Sequence, residues 1–99
     1  MLKISVITVS FNQGRYVRDN IESILSQDYP EFEHIIIDGG STDDTVSILK
    51  QYPHLLWTSE KDRGQSDGLN KGFRRATGDV IAWINSDDML APGAMKALN

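Results

Sequence analysis

Four short apolar segments alternate with longer amphipathic segments along the chain. The apolar segments cover residues 3–9, 32–37, 55–59 and 80–84, and β-branched residues are frequent in the first, second and fourth. Such runs are typical of strands buried in a parallel sheet. Their alternation with helical segments predicts an α/β fold, with helices on both faces of the sheet. We expect the strand order 3-2-1-4.

The first two helices are predicted from apolar spacing and from turn residues. The first should begin near Arg15 and end before Pro30, because the residue before proline avoids the helical region. Its apolar stripe consists of Val17, Ile21, Ile24 and Leu25. The second should follow Ser41, which together with Asp44 fits a capping box.

The last two helices carry weaker signals. Ser66 or Asp67 can cap the third, and Gly78 is placed as its C-terminal glycine. The apolar face expected for it consists of Leu69, Phe73 and Ala76. The fourth should cover residues 92–98, with Pro92 in its first turn.

Composition narrows the class of protein. A chain of 99 residues makes at most one small domain, and a net charge of −4 argues against nucleic-acid binding. Without cysteine, neither a disulfide framework nor a thiolate metal site can form. No apolar run approaches the roughly 20 residues that span a bilayer, and the N-terminus lacks a secretory pattern. We expect a cytoplasmic protein, which in a longer form could also lie at the inner face of the membrane.

Polar loops follow all four predicted strands, over residues 10–12, 38–41, 59–65 and 85–88. In a parallel sheet these ends meet at one edge, where open α/β sheets bind their ligands. The convergence predicts a site there.

The loop from Asn85 to Asp88 has two interpretations. Adjacent carboxylates repel unless a cation or hydrogen bonds hold them, so Asp87 and Asp88 fit a divalent metal site. They could instead cap the helix near Pro92, and this segment alone slightly favours capping. The convergence of the other loops favours the metal.

Four segments resemble the family 2 glycosyltransferases of the GT-A fold, and the resemblance covers residues 3 to about 92. Residues 4–12 resemble that family's opening strand and loop, and Ile36–Asp43 its acidic turn. Residues 64–72 resemble the segment that precedes its metal motif. Residues 78–88, which end in Asn-Ser-Asp-Asp, resemble the D-x-D strand itself.

The resemblance implies a site for a nucleotide-diphosphate sugar donor. It places Val9, Ser10 and Phe11 at the base and ribose, Asp38 at the nucleoside, and Ser66 and Asp67 near the nucleotide. Asn85 and Ser86 would also contact the nucleotide, and Asp87 would hold Mg²⁺ or Mn²⁺ against the diphosphate. Alternative roles remain open: Phe11 as a core residue, Asp38 as a loop-stabilising carboxylate, and Ser66 or Asp67 as a helix cap.

Two positions depart from the family pattern. Gly39 replaces the second acid of the commoner turn, which often reads the base, so base selection should be looser or different here. Asn85 replaces the first acid of D-x-D and removes a negative charge.

The implied function is transfer of a sugar to an acceptor hydroxyl, usually with inversion. Residues 1–99 would form the donor-binding half, and the general base and acceptor site would lie beyond Asn99. The 99-residue chain alone should therefore transfer no sugar, and its exposed sheet edge should favour homo-oligomers. A nucleotide-sugar-binding relic without turnover remains an alternative. A nucleotidyltransferase would need a glycine-rich first loop, and a signalling receiver domain would need acids after the first strand.

The remaining histidines and tryptophans carry no motif. His34 and His54 show no ligand spacing and are expected at the surface or in packing. Trp57 and Trp83 are expected in the core.

Overall fold

The computed structural model describes residues 1–98; Asn99 lies outside the described residues. The strands are β1 (Ile4–Ser10), β2 (Phe32–Asp38), β3 (Leu56–Ser59) and β4 (Val80–Asn85). The helices are α1 (Val17–Leu25), α2 (Thr45–Leu49), α3 (Gln65–Arg75) and α4 (Ala94–Leu98). All strand pairs are parallel and the order is β3-β2-β1-β4, which confirms the predicted sheet.

Alternate residues of β1 face different helices. Ile4 and Val6 pack in one cluster with Ile24 of α1 and Met95 of α4, while α2 packs beside α1 on the same face. Ile7 and Val9 point to the opposite face, against α3. The period of two along a strand thus gives each sheet face its own helical cover.

Helix α3 packs on the sheet through glycine, which corrects the predicted apolar face. A Cβ at Gly68 would lie 2.8 Å from a methyl group of Val9, and one at Gly72 would lie 2.5 Å from a methyl of Ile7. The helix can therefore approach β1 only where side chains are absent. Phe73 is 46% exposed, because the glycine stripe, and not the larger apolar residues, faces the sheet.

Three predicted helix signals prove wrong. Ser41 bonds Asp38, so it forms no capping box, and α2 begins only at Thr45. Gly78 lies beyond the end of α3, where a Cβ would come within 2.6 Å of the Ser5 hydroxyl, so it serves a close approach to β1. Pro92 precedes α4, which begins at Ala94 after Gly93 takes a positive φ.

Of the aromatic predictions, the one for Trp83 is wrong, and the one for His34 is decided between its two alternatives. Trp83 is 46% exposed, because β4 is an edge strand and one of its faces has no helical cover among residues 1–98. His34 is fully buried in β2, so it is a packing residue and not a surface residue. The expected homo-oligomer stays a prediction.

In residues 1–98 no helix has the length and apolarity that crossing a bilayer requires. The cytoplasmic location stays a prediction.

Candidate functional site

A cleft of about 550 Å³ opens at the carboxyl edge of the sheet, as the convergence of loops predicts. It lies between the ends of β1 and β4, the turn after β2, and the start of α3. Its lining residues are Val9, Ser10, Phe11, Gln13, Gly39, Lys61, Asp62, Gly64, Gln65, Asn85, Ser86 and Asp87. The structure thus brings together most of the predicted site residues. Their contact with a nucleotide stays a prediction.

The loops after β1 and β2 are tied to each other at the edge of the cleft. Asn12 takes a positive φ of 52°, a conformation that asparagine tolerates better than most residues. Its backbone N–H donates to the Ser41 hydroxyl at 2.8 Å, and its side-chain oxygen accepts from the Thr42 N–H at 2.8 Å. This exchange holds the loop that carries Phe11.

Phe11 is 57% exposed and lines the cleft. The alternative of a core residue is therefore wrong. An exposed aromatic face beside a cleft offers a stacking surface for a planar ring.

Asp38 is buried beneath the cleft and does not line it. Its carboxylate accepts hydrogen bonds from the hydroxyls of Ser10, Ser41 and Ser59 and from the Ser41 N–H, at 2.6–2.8 Å. Burial alone would raise the pKa of Asp38, but these hydrogen bonds outweigh it and hold the pKa below its usual value. The carboxylate links the ends of three strands.

The turn after β4 presents one exposed acid to the cleft. The Asp88 N–H donates to the Asn85 carbonyl at 3.1 Å, and the Gln65 amide donates to the Asn85 side-chain oxygen at 3.1 Å. Ser86 is buried, whereas Asp87 is exposed. Since α4 begins only at Ala94, neither aspartate caps it, and the capping interpretation is wrong.

This arrangement fits a cation that receives most of its ligands from a substrate. Within the described residues, no three His, Cys, Asp or Glu side chains cluster as a complete metal site. The hard oxygens of Asp87 and Asn85 nevertheless suit Mg²⁺ or Mn²⁺, and Mg²⁺ is usually bound by one or two carboxylates plus substrate phosphates. The donor set therefore fits the metal only together with a phosphorylated ligand.

The loop between β3 and α3 contributes residues that the sequence analysis did not single out. Lys61 and Asp62 line the cleft opposite the Asn85–Asp88 turn. The Asp62 carboxylate accepts from the Gly64 N–H at 2.9 Å, and its other oxygen lies 3.0 Å from the point where a Cβ of Gly39 would stand. In the sequence, the position of this charged loop directly after a parallel strand indicates that its residues can line the site.

Ser66 and Asp67 lie in the first turn of α3 and are not among the lining residues. The cap residue is Gly64, so neither of them occupies the N-cap position. Asp67 accepts from the Arg63 N–H at 3.1 Å and pairs with Lys71 at 3.5 Å. These contacts fix the start of the helix, and a role at the nucleotide stays a prediction for both residues.

Known proteins resemble this chain in sequence and in fold. A family model described as glycosyl transferase family 2 matches residues 5–98. A Bacillus subtilis (strain 168) glycosyltransferase, TuaG, whose name assigns it to teichuronic acid biosynthesis, is 40% identical over 91 residues. Chondroitin synthase of Escherichia coli is 33% identical over 97 residues, which are 94% of this chain and 14% of that protein.

Two solved structures carry ligands in the same fold. Staphylococcus aureus TarS in complex with UDP-GlcNAc has a TM-score of 0.87 and 28% identity, over 97% of this chain and 30% of that one. A Pyrobaculum calidifontis mannosyltransferase in complex with GDP-Man and Mn²⁺ has a TM-score of 0.85 and 27% identity, over 95% of this chain and 30% of that one.

The match is extensive for this chain and partial for its relatives. It covers 86% of this chain and 36% of TuaG, so the chain spans about a third of that relative. Because the family model covers nearly every described residue, the chain belongs to glycosyltransferase family 2.

Proposed function

We propose that residues 1–99 form the donor-binding part of an enzyme that moves a sugar from a nucleotide-diphosphate sugar to an acceptor hydroxyl. The observation that carries this proposal is the single cleft of Phe11, Gly39 and Asp62 at one side and Asn85 and Asp87 at the other. Complexes of similar chains with UDP-GlcNAc and with GDP-Man and Mn²⁺ support it.

The two sides of the cleft suit the two ends of such a donor. The exposed ring of Phe11 offers a stacking face to a base, and the Asp62 carboxylate offers an acceptor to its edge. Lys61 supplies a positive charge, and the first turn of α3 borders the cleft with the positive end of its dipole. Both favour a diphosphate between the nucleoside and Asp87.

Asp87 would hold Mg²⁺ or Mn²⁺, with Asn85 and Asp88 in support. When bound, the ion would act as a Lewis acid that stabilises charge on the departing nucleoside diphosphate. The general base and the acceptor site belong, in this proposal, to residues outside 1–99. An inverting course is the stereochemistry that we expect.

Asp87→Ala should remove the metal-dependent part of nucleotide affinity. Wild-type chain should bind UDP or GDP more tightly with Mn²⁺ than without it. The variant should lose roughly tenfold or more of that gain, since even outer partners of a metal change its affinity on this scale. Calorimetric titration of each nucleotide, with and without Mn²⁺, measures the difference.

Asp19→Ala is the matched control, because Asp19 is an exposed acid in the first turn of α1 and does not line the cleft. It should keep the Mn²⁺ gain. If Mn²⁺ raises nucleotide affinity equally in wild type and in Asp87→Ala, Asp87 is not the metal ligand. If wild type binds no nucleotide at all, the donor site is refuted.

Asp62→Asn should change base selection. The sequence predicts that Gly39 loosens or changes this selection, and the Asp62 carboxylate occupies the space beside that glycine. A carboxylate accepts from the imide N–H of uracil but faces a bare nitrogen in cytosine. Losing that distinction should cost about 1–3 kcal/mol of discrimination, the scale of an unpaired buried polar group.

The measurement is the ratio of CDP to UDP dissociation constants in wild type, Asp62→Asn and Asp19→Asn, with GDP and dTDP as further probes. The ratio should fall only in Asp62→Asn. A ratio that does not move in that variant would remove Asp62 from the base-reading side of the cleft.

A further inference from the structure

Helix α1 carries a buried amide on the side that faces the Asn85–Asp88 turn. Asn20 is fully buried, and its side-chain nitrogen donates to the carbonyls of Asn85 at 3.1 Å and Asp88 at 3.0 Å. Its side-chain oxygen accepts from the Thr8 hydroxyl at 3.3 Å. Both amide donors are therefore used on the two ends of one turn.

The two bonds fix the turn at both of its ends. Asn85 and Asp88 are also joined by the turn's own backbone hydrogen bond, and Asp87 lies between them. On the solvent side the turn receives the amide of the exposed residue Gln65, at 3.1 Å. The buried contact from Asn20 thus determines where the exposed carboxylate of Asp87 stands relative to the cleft.

The orientation of the Asn20 amide is set by Thr8 and His34, on the side away from the turn. The Thr8 hydroxyl has one proton and donates it to Asn20, so its 2.8 Å contact with Nε2 of His34 requires the proton of that pair on the imidazole. Burial lowers the pKa of His34 to about 3, so the ring is neutral. We assign its one proton to Nε2, the tautomer that lets Thr8 donate to Asn20. In this hydrogen-bond network His34 donates to Thr8, and Thr8 donates to Asn20. The Asn20 oxygen therefore stays on Thr8, and its nitrogen stays on the turn.

We infer that Asn20 is a positioning residue for the diphosphate and metal side of the cleft. It touches neither ligand and acts through the backbone of residues 85–88. The inference rests on the proposed function for its consequence in binding, and on the apo protein alone for its effect on the turn.

Gln27 provides a matched control. It is also buried, follows α1 in the chain, and donates its amide to the Ala91 carbonyl at 2.9 Å. It therefore makes the same kind of contact with the segment after β4, but beyond the turn that carries Asp87.

The experiment compares wild type, Asn20→Leu and Gln27→Leu by two measurements. The first is amide hydrogen exchange of residues 85–89 without ligand, and the second is UDP and GDP affinity with and without Mn²⁺. Asn20→Leu should raise exchange in the turn roughly tenfold, as expected for the loss of two hydrogen bonds. It should also reduce the Mn²⁺ gain about 10–100-fold, the range for outer partners of a metal, and leave metal-free affinity unchanged.

Gln27→Leu should keep both the hydrogen exchange of the turn and the Mn²⁺ gain of wild type. An unchanged turn in Asn20→Leu overturns the inference, and so do equal losses in the two variants, which would mark a general loss of stability. Faster exchange confined to Asn20→Leu, with no nucleotide binding by wild type, would support the positioning of the turn by Asn20 and refute the donor site.

Should Asn20→Leu not fold, Thr8→Val tests the same positioning of the turn, because Thr8 orients Asn20. It leaves both donors of Asn20 in place and removes the hydroxyl that orients its oxygen. Faster exchange in the turn and a smaller Mn²⁺ gain are then expected. Unchanged values of both would overturn the inference.

Discussion

Acidification below about pH 6.5 should destabilise this protein before most of its carboxylates are protonated. Burial lowers the pKa of His34 from 6.5 to about 3, and the nearby His54 acts in the same direction. Between these two pKa values the unfolded chain binds a proton at His34 and the folded chain does not. The free energy of unfolding therefore falls as the pH falls from 6.5 towards 3. Each pH unit costs about 1.4 kcal/mol for one proton, against a total of roughly 5–15 kcal/mol for a small domain.

Urea unfolding between pH 7.5 and pH 4.5 measures this loss. The free energy of unfolding should fall steadily in wild type and much less steeply in His34→Gln, whose amide can still reach Thr8. His54→Gln is the comparison variant, because His54 is only partly buried, and burial lowers its pKa in the same direction. Parallel slopes for wild type and His34→Gln would show that another group controls acid stability.

The carboxylates act in a separate range. Hydrogen bonds outweigh burial and lower the pKa values of Glu33 and Asp38 below their usual values. Their contribution is present above the unfolded pKa of a carboxyl group and is lost only below it, near pH 4. Between pH 6.5 and about pH 5 the slope therefore reports the two histidines and not these carboxylates.

The sheet could be predicted because its signal is local. Four apolar runs with polar ends predict both the strands and the edge at which the loops meet, and the structure confirms the strand order. The exposure of Trp83 could not be read from β4 itself, since its apolar composition resembles that of a central strand. The predicted strand order 3-2-1-4 places β4 at an edge of the sheet, and this edge position indicates that Trp83 is exposed.

The packing of side chains between helices and strands is harder to predict from the sequence. In α3 the larger apolar residues dominate the helical pattern, yet the sheet contacts Gly68 and Gly72, because Ile7 and Val9 leave room only for a backbone. A glycine pair at i and i+4 is visible in the sequence. Its meaning depends on the neighbour that it meets.

The site divides in the same way. Phe11, Asn85 and Asp87 lie at or just after strand ends and could be placed at the edge from the sequence. The loop of Asp62 was also predicted at this edge, but only the fold shows that Asp62 approaches Gly39. The position of Asn20 in the sequence also indicates its role. It falls on the buried side of α1, beside Val17 and Ile21, where a polar residue requires hydrogen-bond partners.

Asp38→Ala should cause the largest loss of stability of any single change at the carboxyl edge. It would leave four donors without their shared acceptor: the hydroxyls that end β1 and β3, and the N–H and hydroxyl of Ser41 in the turn after β2. Removing one partner from such a buried charged network costs roughly 3–5 kcal/mol. Urea unfolding at pH 7.5 measures the change in the free energy of unfolding.

Asp38→Asn separates the structural role of this carboxylate from contact with a nucleoside. Its amide oxygen can replace Oδ2, which accepts from Ser41 N–H and Ser59, and its nitrogen can donate to hydroxyls that rotate to accept. The loss of stability should therefore be smaller than in Asp38→Ala. Asp43→Ala is the control, because the exposed carboxylate of Asp43 accepts from the Thr45 N–H at the start of α2, so its loss should destabilise the protein less than the loss of the buried Asp38. If Asp38 acts only beneath the cleft, UDP affinity in folded Asp38→Asn should match wild type. A stable Asp38→Asn with lost affinity would instead place this carboxylate at the nucleoside, as the family resemblance implies.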